Sequence, residues 1–199
     1  NDSLAAYATQ YEVLLYQATS TERGTNDVLS LEIYQNSQFG GPSSSGSYQF
    51  DGSNYSNCGL CMLVYADCAD ATDMNTCAKT FFAESGTVHF TAMGQIGDQL
   101  TAMLQDVVLT EVTVDTETWE STPVAGGDAW CAHGYELTAP IQDYNNPTDT
   151  SSGSGGTAPD GSTGGSTGTT GGNTSGECQA GSVTGNALGD TIADFQLQN

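Results

Sequence analysis

An apolar pattern that repeats every second residue limits the fold of this chain more than any other feature. In "DVLSLEIYQ", Leu29, Leu31 and Ile33 alternate with Ser30, Glu32 and Tyr34. In "GTVHFTAMG", Val88, Phe90 and Ala92 fall on one face and Thr87, His89 and Thr91 on the other. Leu100, Ala102, Leu104, Val108, Val112 and Val114 continue the habit. Asp106 and the run Val107-Val108-Leu109 interrupt it and predict a bulge. Gly-rich punctuation ("FGGPSSSG", "FDGSNYSN", "VAGGD") separates these runs. Short alternating strands joined by such turns predict an all-β fold, an antiparallel β-sandwich of jelly-roll or Ig-like type. Leu4, Tyr7, Ala8, Tyr11, Leu14, Leu15 and Ala18 also fit a helical stripe, with Ser3 as N-cap, but the β-rich "YEVLLYQATS" favours a strand.

The pattern stops near residue 146, which divides the chain into three parts. Residues 1–146 hold 19 of the 24 acidic residues and all aromatics except Phe195. Residues 147–176 are a Gly/Ser/Thr-rich linker: 24 of these 30 residues are Gly, Ser or Thr. Such a stretch has too little apolar surface to offset its ordering entropy, and reads as a tether or, in a host that decorates Ser and Thr, an O-glycosylated stalk. Residues 177–199 form a tail in which "IADFQLQN" alternates like one strand with no partner nearby in sequence.

Charge narrows the partners. Two basic residues, Arg23 and Lys79, face 24 acids, a formal net charge of −22. Such a chain repels nucleic acid phosphates and anionic membrane surfaces. No apolar run is long enough to insert in a membrane. It also repels itself, so its core needs salt, cations or covalent cross-links in support. "NDSLAAYATQ" does not have the form of a signal peptide, which leads us to expect the mature form of an exported chain. Asn1, Asn54 and Asn173 open glycosylation sequons.

Six cysteines in this acidic chain suggest an oxidising compartment and disulfides. Cys58 and Cys61 form a C-x-x-C, but "CMLVYADC" runs on as a strand, without the helix N-terminus or basic neighbour that lowers a redox thiol's pKa. Zinc at Cys58, Cys61, Cys68 and Cys77 would need an unusual eight-residue second knuckle. As disulfides, Cys68 and Cys77 would close the polar loop "ADATDMNT" and pin a hairpin. Cys131 is expected to reach back to Cys58 or Cys61. Cys178, beyond the linker, would take the remaining domain cysteine or another chain.

No catalytic signature accompanies the two histidines, His89 and His133. There is no Gly-x-Ser-x-Gly elbow, HExxH or P-loop beside His89 or His133. We therefore expect a non-enzyme without a resident cofactor. The first calcium candidate is Asp67, Asp70 and Asp73, whose oxygens cluster in the Cys68–Cys77 loop without the EF-hand pattern. Asp115, Glu117 and Glu120 form a second, weaker calcium candidate. Tyrosines with Trp119 and Trp130 could line a sugar-binding face, though such residues more often fill cores.

Two resemblances add to this reading. Cys58, Cys61, Cys68, Cys77, Lys79, Phe81, Gly86, Glu111, Trp130 and Cys131, spread over about residues 27–140, resemble a cysteine-rich β domain of exported and surface proteins in myxobacteria-like bacteria. That likeness implies export and a β fold. The run Gly189-Asp190-Thr191-Ile192-Ala193-Asp194-Phe195-Gln196-Leu197 resembles the entry segment of thioredoxin-like redoxin domains, with Ala193 where those have proline. It implies that the chain is part of a longer polypeptide.

The resulting expectation is an exported structural or interaction protein, extracellular or at the cell surface. It would associate with itself or another surface protein, as in a fibre whose subunits join by strand addition through Ile192, Phe195 and Leu197. The alternative is a glycan- or calcium-binding module tethered to a downstream redoxin domain.

Overall fold

The computed structural model describes residues 3–21, 24–146 and 196–198. Its eleven described strands are β1 (Ser3–Ala8), β2 (Val13–Ser20), β3 (Asn26–Tyr34), β4 (Gly46–Gln49), β5 (Leu60–Cys68), β6 (Cys77–Met93), β7 (Gln99–Val114), β8 (Ser121–Pro123), β9 (Ala129–Ala132), β10 (Tyr135–Asp143) and β11 (Gln196–Gln198). The fold is all-β and stapled by disulfides, as the alternation and cysteine count led us to expect. The N-terminal segment is a hairpin of two strands, β1 and β2, rather than a helix.

Strand pairing returns on itself. The order β1-β2-β3-β5-β6-β7 is antiparallel throughout, β10 joins β7, and β10 then pairs with β1 to complete the circuit. The closing pair is parallel, matching Ala5 with Ile141 and Tyr7 with Asp143. A closed sheet has no free edge along the circuit and turns one face of every strand inward. That face carries Leu29, Leu31 and Ile33 from β3, Met62 and Val64 from β5, Phe81, Val88 and Phe90 from β6, and Leu100 and Leu104 from β7. Each is essentially inaccessible to solvent.

The strands β6 and β7 are too long to remain straight. Their pairing slips between Ser85 and Thr87, opposite Asp106 and Val107. Asp106 takes φ +51° there, which makes it the bulge that the interrupted alternation predicts. Gly86 faces it at φ +115°, and a Cβ on Gly86 would stand 2.4 Å from Val107 Cα. Only glycine allows this approach. The bend divides the partners of both strands. On β6, β5 takes the first half and β4 the second. On β7, β10 pairs with residues 99–104, whereas β9 pairs with residues 107–110 and β8 with residues 112–114.

A smaller apolar cluster lies on the outer face of β3, β5, β6 and β7. Cys58, Cys61, Leu63, Phe82 and Val112 are buried there beneath Tyr34, Tyr55 and Tyr65. The cover comes from a short 3-10 turn, Tyr55–Asn57, capped by the Asn54 side chain. Asn54 also exchanges two hydrogen bonds with the backbone of Ser121, which ties the turn to β8.

Disulfide connectivity corrects one expectation. Cys68 and Cys77 are paired, and they pin the β5–β6 hairpin as foreseen. Cys58 bonds Cys61, so neither is available to Cys131. The C-x-x-C closes on itself because the chain turns from the 3-10 segment into β5 there, bringing the two Cα atoms to 5.7 Å. Cys131 is disulfide-bonded as well, and Cys178 lies outside the described residues. This bonding pattern fits an oxidising, non-cytoplasmic environment. No helix among the described residues is long and apolar enough to cross a membrane.

Candidate functional site

The sequence pointed to the Cys68–Cys77 loop for calcium, but the fold does not bring its carboxylates together. Asp67 accepts from the Thr25 hydroxyl at 2.8 Å. Asp70 accepts from the Thr72 amide and hydroxyl. Asp73 caps the short Met74–Thr76 turn through the Asn75 amide. Asp70 and Asp73 are satisfied within the loop and Asp67 by Thr25 from outside it, and no group of three His, Cys, Asp or Glu side chains converges among the described residues. Asp115 behaves likewise: the amides of Thr118 and Glu117 hold its carboxyl below the ordinary carboxylate range. His89 points outward, as its strand register requires, and meets Ser47. His133 sits between β9 and β10 and meets Asp106 at 2.8 Å. Lys79 is engaged by Asp128 and Glu111.

The tail residues fare differently. Ile192 and Phe195 lie outside the described residues. The backbone of Gln196–Gln198 runs antiparallel to β9, with Leu197 opposite Trp130 and Gln196 opposite Cys131. Among the described residues, β9 pairs with β7 on one edge and with no strand other than β11 on the other. Unpaired, that second edge would present bare amides and carbonyls for strand addition.

Sequence reasoning missed a groove of about 800 Å³ where the β1–β2 turn meets the end of β3. Its floor is Glu32, with only 9% of its surface exposed. Alternation put Ser30, Glu32 and Tyr34 on the face away from the main core; the Tyr55 turn then covers that face. Glu32 Oε1 accepts from the Ser30 hydroxyl at 3.2 Å. Its Oε2 accepts from the Tyr34 hydroxyl at 2.8 Å and the Tyr55 hydroxyl at 3.0 Å. Burying a carboxylate costs free energy unless donors replace its water, and these three hydroxyls do so.

The tyrosines respond in turn. Burial first, and then the Glu32 charge, push the Tyr55 and Tyr65 phenols well above their ordinary range. The same two causes raise Tyr34. These phenols stay protonated and remain donors throughout the neutral range.

The groove walls are tied down by backbone contacts. The Gln35 amide donates to the Glu12 carbonyl, Asn36 Nδ2 to the Tyr11 carbonyl, and the Tyr144 amide to the Tyr7 carbonyl. Opposite, the loop carrying Phe39 lies flat on Gly59, where a Cβ would come 2.5 Å from the Phe39 carbonyl oxygen. This sets the Phe39 ring 5.3 Å from Tyr34. Tyr11 and Tyr144 complete the rim and are more than half exposed. The chemistry gathered here is an anionic floor and aromatic walls. Compared with known proteins, the chain matches no family model, no curated protein and no solved structure.

Proposed function

We propose that the protein is a non-enzymatic, exported component of an extracellular or cell-surface assembly, whose copies join by exchanging the C-terminal strand. The observation that carries this reading is the pairing of β11 with an edge of β9 that no other strand among the described residues takes. The same antiparallel hydrogen bonds form whether the strand comes from its own chain or from a neighbour, which is the basis of domain swapping. The residues between 146 and 196 are rich in Gly, Ser and Thr, a composition suited to letting the strand reach another copy. Disulfides suit an exported protein.

Light scattering and electron microscopy over a range of salt and calcium concentrations test the proposal. Salt is needed because a net charge of −22 opposes association at low ionic strength. Regular oligomers or fibres are expected, and removal of residues 196–199 should abolish them. A chain that stays monomeric under every condition contradicts the reading.

A further inference from the structure

We infer that the groove over Glu32 binds a small organic cation with a quaternary ammonium head, through the Glu32 carboxylate and the aromatic walls. The argument begins with charge. Glu32 is nearly enclosed, its three partners are neutral hydroxyls, and the second carboxylate at the groove is Glu12. Among the described residues lining the groove there is no lysine, arginine or histidine. A carboxylate held in that way keeps its attraction for a cation, undiminished by an internal ion pair. The field of the whole chain, at −22, draws cations towards the groove and keeps anions away.

Hydrogen-bonding capacity then selects the kind of cation. A carboxylate offers about four acceptor positions, and hydroxyls from Ser30, Tyr34 and Tyr55 already occupy three of them. A primary ammonium, which seeks several acceptors, would find few. A quaternary ammonium has no N–H to satisfy and is held by charge and by ring faces. Tyr11, Tyr34, Phe39, Tyr55 and Tyr144 all line the groove. Metal ions are less suited, because a second and third carboxylate do not converge on Glu32 among the described residues.

The inference does not depend on strand exchange, since the groove is built from residues 8–144 and leaves β9 and β11 untouched. Calorimetric titration of the whole chain with choline, at constant ionic strength, tests it. Choline is compared with its neutral isostere, in which a tert-butyl group replaces the trimethylammonium. Saturable choline binding is expected, at least about tenfold tighter than the isostere. Glu32→Gln keeps the shape and removes the charge, and should weaken choline by about tenfold or more while leaving the isostere unchanged. Tyr144→Ala, at an exposed rim position, should weaken it about threefold and keeps the test decisive if the Glu32 variant does not fold. Glu136→Gln, exposed on β10 and away from the groove, should change nothing. Equal binding of choline and its isostere, full choline binding by Glu32→Gln, or no saturable binding of choline would each overturn the inference.

Discussion

Raising the pH above the ordinary tyrosine range should destabilise the domain through the phenols around Glu32. Burial and the Glu32 charge hold the folded-state pKa values of Tyr34, Tyr55 and Tyr65 well above the value of about 10 they regain on unfolding. Their contribution to stability is complete below about pH 10 and is lost progressively as pH rises towards the folded values. Each phenol that ionises only in the unfolded chain lowers stability by about 1.4 kcal/mol per pH unit in that window. Tyr55 and Tyr65 together give a slope of about 2.7 kcal/mol per unit. Tyr34, more open to the groove, adds less after allowance for solvent screening. Against a total stability on the order of 5–15 kcal/mol, one and a half pH units remove roughly 4 kcal/mol. Denaturant midpoints measured from about pH 8 to pH 11.5, with tyrosinate absorbance followed in parallel, read both quantities. Of the nine tyrosines, at least these three should ionise only with unfolding. Ionisation of all nine near pH 10 in the folded chain, with no fall in stability, would refute the reasoning. Glu32→Gln should flatten the slope, because it removes the charge that opposes ionisation.

Other perturbations address the frame that holds the groove. Gly86→Ala puts a methyl 2.4 Å from Val107 Cα at a φ of +115°, and should cost about 2–4 kcal/mol in chemical denaturation. Loss of that stability would leave the β6–β7 bend without its hinge; an unchanged midpoint would mean that the bulge does not depend on glycine. Replacing Cys68 and Cys77 together by serine opens a loop with a sequence separation of 9, expected to cost about 2.5 kcal/mol. The melting temperature should fall accordingly, and more at low ionic strength, where self-repulsion is strongest.

Much of the frame was legible from alternation, because strand faces follow directly from a period of two. Leu29, Leu31 and Ile33 line the core as that period demands, and Asp106 marks the bulge where the period breaks. The Cys68–Cys77 staple was legible because a hairpin brings its two ends together. The pairing of β1 with β10 was not, since contact between Ala5 and Ile141 leaves no trace in either local pattern. The Cys131 expectation failed for a local reason: a turn into β5 favoured Cys58–Cys61, which spacing alone could not distinguish from a longer bridge. Glu32 was legible as facing away from the core but not as buried. Its cover, Tyr55, arrives 23 residues later in the chain, from a turn whose position depends on Asn54 and Ser121.

Strand exchange is most directly tested by where the C-terminal strand lands. Chains carrying a photoreactive leucine analogue at Leu197 would be mixed with isotope-labelled chains, irradiated, and mapped by mass spectrometry. Heterotypic cross-links from Leu197 of one copy to the Ala129–Ala132 strand of another are what the proposal predicts. Cross-links confined to single chains at assembly concentrations would contradict it.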